Sequence, residues 1–201
     1  MAEAQLRPNS YPNSYFCTMS TSYRIINPHA LYFLTMTVVD WVDLFTRDQN
    51  RRIIIESMDY CRKKKGLRIW AYVIMTNHMH MIVSAENNNL SGIIRDFKRH
   101  SARRLLRSVQ TTSESRRDWI LDRFAFAGKK SRNPGIEFQV WVHDNHAIEL
   151  ESHKFIMQKL AYIHNNPVSA GFIDDPNAWV YSSQRNYMGE PSVMEIDLLE
   201  Y

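Results

Sequence analysis

The chain has 201 residues, enough for one packed domain and short for two. No apolar run is long enough to span a bilayer, and residues 1–13 lack the charged-then-apolar order of a signal peptide. A formal net charge of +4 does not by itself argue for a nucleic-acid partner, but residues 1–135 carry 22 Lys and Arg against 11 Asp and Glu, whereas 136–201 carry 3 against 10.

Residues 1–30 read as an arm, rich in Pro, Asn and Ser and without periodicity. Leu31 to Val39, β-branched and aromatic, is a first strand. Arg47 to Lys65 has helical spacing at Ile53, Ile54, Met58 and Cys61, and Gly66 stops it after the basic turn Arg62 to Lys65. Cys61 and Cys17 are far apart and in no metal-type spacing, so a reduced, cytoplasmic protein is expected. Leu67 to Met75 and His78 to Ala85 read as hairpin strands around a Thr76-Asn77 break.

A second helix is expected from Asn89 or Ser91 to about Ser108. On it Arg95, Arg99, Arg103 and Arg107 recur every four residues, a basic arc joined by Lys98, while Ile94, Phe97 and Leu105 face the other way. Such an arc is either a solvated face or a sequence-independent contact for phosphates. Residues 108–137 read as a variable insertion, with a short helix over Trp119 to Ala127 and then a basic loop holding Lys129, Lys130 and Arg132. That loop is either solvated or touches DNA.

Phe138 to Val142 is the expected fourth strand. The next helix carries Tyr162 and is expected to end at Pro167, because a residue preceding proline leaves the helical region. The stretch 188–201 is an acidic tail. The order β-α-β-β-α-β-α predicts an α+β, ferredoxin-like antiparallel sheet with helices on one face, plus a C-terminal helix carrying the tyrosine. Residues 31–187 would form the single domain.

Chemistry concentrates in two segments. In the third strand His78 and His80 are two apart, so both imidazoles point to one face while Met79 points to the other. Such a pair can hold a divalent cation, or can simply be hydrogen-bonded histidines of a sheet. Far along the chain, Tyr162 and Asn166 are one helical turn apart and project together. Taken alone, Tyr162 as packing and Asn166 as a helix-end residue would explain them. His164, about 200° round from the tyrosine, should face away and make a structural hydrogen bond.

Asn77-His78-Met79-His80, followed downstream by Tyr162-Ile163-His164-Asn165-Asn166-Pro167-Val168-Ser169-Ala170-Gly171, resembles the HUH single-strand DNA transposases. The likeness is strongest to the REP-associated tyrosine transposases, relatives of small insertion-sequence transposases. Trp41 to Phe45, Arg95 to Lys98 and Tyr181 to Ser183 fit the same pattern, so it runs from about Tyr23 to Tyr187. The resemblance implies an enzyme with Tyr162 as nucleophile, and His78, His80 and Asn166 as ligands to Mg²⁺ or Mn²⁺. It implies single-stranded hairpin DNA as the partner, a 5′-phosphotyrosine intermediate, and either a monomer or a homodimer, since the tyrosine helix can serve its own site or a partner's. Two alternatives stay open at this point. One is a nickase of the replication or plasmid-transfer type; the other is an inactive ferredoxin-like module that only binds nucleic acid.

Overall fold

The structure is a computed structural model that describes residues 24–131 and 135–199. Strand β1 (Tyr32–Thr37) is followed by helix α1 (Asp48–Lys65), and the hairpin β2 (Leu67–Ile74) and β3 (His78–Ala85) comes next. Helices α2 (Leu90–Thr111) and α3 (Arg117–Lys129), strand β4 (Ile148–Glu149), helix α4 (His153–Ser169) and the short α5 (Gln184–Tyr187) complete it. The sheet order is β2-β3-β1-β4 with every neighbouring pair antiparallel, the ferredoxin-like arrangement expected from the element order. Of the arm expected over 1–30, residues 1–23 lie outside the described residues; so do Cys17 and Arg132.

Alternation along the strands divides the core in two. Tyr32, Leu34 and Met36 of β1, with Met79, Met81 and Val83 of β3, pack beneath α1 and α2. The intervening Phe33 and Ile82 face the other way and pack against Leu160 and Ile163 of α4. In β2 the register shifts between Ile69 and Ala71, leaving Trp70 as an extra residue. That bulge changes the phase of the strand, so that Ala71, Val73 and Met75 all turn toward α4. The tyrosine-bearing helix therefore covers the same face of the sheet as the side chains of His78 and His80.

Two expectations need correction. Phe138 to Val142 is not the fourth strand: it forms one bridge, Val38 to Trp141, and the backbone bonds Val39 N–H to Val140 O and Val142 N–H to Thr37 O. Val140 and Trp141 are instead buried in the core, where Trp141 Nε1–H donates to Ser101 Oγ at 3.0 Å. The chain then leaves the sheet through His146, at φ 40°, before β4 pairs with Tyr32 and Phe33. The short helix expected over Trp119 to Ala127 is present as the 13-residue α3, which Ile120 and Phe124 anchor in the main core.

Second, Pro167 does not end α4, which continues to Ser169. Proline lacks only its own N–H, and in the last turn the loss is confined to one bond from Ile163 O. The end is made by Gly171 at φ 74°, with Gly171 N–H bonded to Val168 O and Phe172 N–H to Pro167 O, a Schellman motif.

The acidic tail docks back on β2. Met194 is buried, Asp197 N–H donates to Ile69 O at 2.9 Å, and the Asp197 carboxylate pairs with Arg68. The segment Tyr181–Ser183 is also laid along β2, with Ser183 N–H bonded to Tyr72 O and Ile74 N–H to Tyr181 O.

Candidate active site

Four rings from three parts of the chain form a row on the α4 face. Trp41 meets His78 edge-on with centroids 5.9 Å apart, His78 meets His80 at 4.9 Å, and His80 meets Tyr162 at 5.2 Å. Phe33 lies under the row, stacked on His80 at 5.3 Å and edge-on to Tyr162 at 5.9 Å. The two-residue spacing puts both imidazoles on one face, as strand geometry requires. Leu160 and Ile163 of α4, buried against Phe33 and Ile82, bring the tyrosine beside them.

Each imidazole is oriented through Nδ1. His80 Nδ1 is 2.9 Å from Thr35 Oγ1, its direct cross-strand partner on β1. His78 Nδ1 is 2.7 Å from Asn77 Oδ1, and the Asn77 amide also donates to Trp41 O at 3.3 Å. These bonds leave Nε2 as the remaining polar atom on each ring. For His80 that atom is buried and has no hydrogen-bond partner, an arrangement native structures rarely leave uncompensated.

Burial lowers the affinity of both rings for a proton. His80 is 5% exposed, and burial, with smaller contributions from the charges of His78 and Lys159, pushes its pKa down to about 3. His78 is shifted down by the same desolvation. Both are therefore neutral at physiological pH, the form in which imidazole ligates metal. Two neutral nitrogens suit a divalent cation that keeps further sites for other ligands, water or phosphate oxygens. Asn166 lies one turn beyond Tyr162 and is half-buried. Among the described residues no cluster of three or more His, Cys, Asp or Glu side chains could hold a metal.

Tyr162 is 47% exposed, open to solvent along a shallow groove of about 260 Å³ that also involves Lys159 and Asn165. Lys159, which spacing alone did not single out, sits with Nζ 4.7 Å from the Phe33 ring centroid and 5.5 Å from that of Tyr162. Partial burial weakens its hold on its proton. Thr35 was equally invisible in the sequence, since only strand register identifies it as the partner of His80.

His164 faces away from this row, as its angular position predicts. It is buried, and Nε2 is 2.9 Å from Ser183 Oγ, which also accepts from Tyr72 N–H at 2.9 Å. Burial holds its pKa near 4. This bond ties α4 to the segment that borders β2. Ser182 and Ser183 are fully buried there. The Tyr181 hydroxyl donates to Asp48 on the opposite side of the sheet from Tyr162.

The basic residues lie elsewhere. Arg95, Arg99 and Arg103 line a groove of about 1130 Å³ between α2 and residues 136–147, on the α1–α2 side of the sheet. This cavity is larger than the groove at Tyr162 and lies on the other face of the sheet from the ring row. Arg107 is exposed one turn further along α2. Lys98 is set apart from this arc, because its Nζ donates to Val142 O, His143 O and Asn145 Oδ1, occupying all three of its N–H groups. Burial lowers its pKa to about 8. Its place is to hold the 142–145 segment onto α2. Lys129 and Lys130 end α3, with Lys130 Nζ 4.1 Å from the Phe126 ring centroid.

Residues 31–125 match the family model described as IS200-like transposase. A solved REP-associated tyrosine transposase bound to a REP hairpin is similar over 91% of this chain and 95% of its own, with 19% identity and a TM-score of 0.56. That likeness shows a shared fold. A candidate transposase of Deinococcus radiodurans R1 aligns over 73% of this chain and 97% of its own, at 14% identity and a TM-score of 0.40, too slight to carry an argument. No curated protein matches. The resemblance to the HUH transposases is borne out by the family match and the fold.

Proposed function

We propose that this chain, related to the IS200-like transposases through residues 31–125, is a metal-dependent DNA transposase acting on single-stranded, hairpin-bearing DNA. One observation carries the reading: the Tyr162 ring lies against His80, 5.2 Å between centroids, although the two are more than 80 residues apart in sequence. The contact is within one chain, which supports attack in cis. The free, buried Cys61 and the lack, among the described residues, of any helix long and apolar enough to cross a membrane agree with a cytoplasmic DNA partner.

Tyr162 is the nucleophile in this reading. Its phenol oxygen attacks the scissile phosphorus while the bond to the 3′-oxygen of the neighbouring nucleotide breaks. The phenol loses its proton and the departing 3′-oxygen gains one, leaving a 5′-phosphotyrosine and a free 3′-hydroxyl. Attack by a 3′-hydroxyl reverses the step, so strands are rejoined with no external energy source. A phenol is a weak nucleophile at neutral pH and depends on assistance and positioning. Phe33 and the packing of α4 hold the ring, while Thr35 and Asn77 engage Nδ1 of the imidazoles and leave Nε2 for a ligand. His78, His80 and Asn166 would hold Mg²⁺ or Mn²⁺, which when bound would neutralise charge on a non-bridging phosphate oxygen. Arg95, Arg99, Arg103 and Arg107, with Lys129, Lys130 and Arg132, are the residues we assign to the DNA backbone; Lys98 is reserved for its structural bonds.

The test is incubation with hairpin-bearing single-stranded DNA and Mn²⁺, followed by denaturing electrophoresis. Wild type should give a denaturant-stable protein–DNA adduct, Tyr162→Phe should give none while still binding, and His80→Ala should lower adduct formation by at least 100-fold. Binding without an adduct under any divalent metal would sink the enzyme and leave a nucleic-acid-binding module.

A further inference from the structure

The turn that joins β1 to α1 holds two successive residues in the left-handed region, Asp40 at φ 51° and Trp41 at φ 54°. Aspartate visits that region with some frequency, but a bulky aromatic there is a backbone outlier. Strain of this kind persists only where surrounding structure enforces it, and it clusters at functional sites. Here the enforcement is visible: Trp41 N–H bonds Val38 O, Val42 N–H bonds Val39 O, and the Asn77 amide clasps Trp41 O. Packing of the side chain does not explain it. The indole is 65% exposed, and its one ring contact among the described residues is edge-on with His78 at 5.9 Å.

An indole that gains little from burial is thus held, at a cost in backbone strain, at the outer end of the row that runs through the two imidazoles to Tyr162. Asn77 links Trp41 to its neighbour in the row, since the same side chain that holds the turn also orients His78 through Nδ1. An exposed indole face is a stacking surface for any base, whatever its identity. We infer that Trp41 is the platform on which an unpaired nucleobase flanking the scissile phosphate stacks, fixing the strand across the imidazoles. The inference rests on the proposed reading of the site as one that handles single-stranded DNA. Trp41 is a binding and positioning residue in it and takes no part in bond making.

The experiment uses the full chain with Tyr162→Phe, so that binding is read without turnover. Hairpin probes of equal length, each lacking one base in the unpaired flank, are titrated against this protein with and without Trp41→Gly. Glycine takes φ 54° freely, so the melting temperature should not fall. Trp41→Gly should weaken binding of the intact probe by about tenfold or more. One abasic position should weaken the tryptophan-bearing protein by a similar factor and leave the glycine variant unaffected, while Trp41→Phe should keep most of the affinity. Unchanged affinity in Trp41→Gly, or abasic penalties equal in both proteins at every position, overturns the platform. So does conversion of a dimer to a monomer with per-site affinity unchanged, which would make a second copy the occupant. Binding that follows the expected pattern with no adduct from the wild-type tyrosine keeps the platform and removes the chemistry; failure to bind any probe removes both.

Discussion

His80 shows how burial prepares a residue for a role its sequence position only suggests. Its imidazole is squeezed between Phe33, His78 and Tyr162 and bonded to Thr35, so protonation would place a charge where little water can reach it. The folded-state pKa of about 3 lies below the ordinary 6.5, so the unfolded chain takes up a proton that the folded chain refuses. Stability from this group is complete above about pH 6.5 and falls as the pH drops toward 3. His164, held near 4, acts in the same direction over a narrower range. In the presence of a chelator, the free energy of unfolding should therefore decline on acidification below about pH 6.5, by at most about 1.4 kcal/mol per pH unit for each histidine. Chemical denaturation across pH 4–8 would read this, and His80→Asn should flatten the slope. An unchanged slope would mean that the ring is solvated.

At the scale of elements, α4 is positioned from both ends of its buried face. Leu160 and Ile163 supply the apolar contact with the sheet, and the bond from His164 to Ser183 supplies a polar one. Ser183 is fully buried and also serves Tyr72 N–H, so the hydroxyl satisfies groups on α4 and β2 at once. Ser183→Ala would strand both without water, at roughly 1–3 kcal/mol for each buried unsatisfied group. The expected result is a melting transition lowered by several degrees, together with slower adduct formation, because the tyrosine helix loses a tether. A fully stable variant would show that water replaces the hydroxyl. The bulge at Trp70 belongs to the same scale, since without its phase change Val73 and Met75 would point away from α4.

Across the whole molecule, the basic arc and the ring row lie on opposite faces of the sheet. DNA bound at both must pass around an edge, with the arginine groove gripping a part of the strand distant from the cut. Replacing Arg95, Arg99 and Arg103 together by glutamine should weaken binding and lessen its salt dependence. The slope of log K against log salt should fall by about 2, at roughly 0.7 per phosphate contact on a single strand. Adduct formation at saturating protein should stay unchanged. Arg95 and Arg99 also flank Asp96, which is ion-paired with Lys65, so some of their charge is already offset and a smaller change is expected from either alone.

Period-two spacing in β3 was enough to put His78 and His80 on one face, and helical spacing was enough to pair Tyr162 with Asn166 and turn His164 away, because both periodicities are local properties of the backbone. The element order likewise implied the sheet. Pairing between distant segments is not local. Which stretch would close the sheet edge at β4, that Gly171 rather than Pro167 would end α4, that Lys98 would be consumed by carbonyls at 142–145, and that Thr35 would brace His80 all depend on competition for buried contacts and backbone partners. Such competition is resolved only when the chain has folded, since each carbonyl, donor and apolar surface has one best partner among many that the sequence allows.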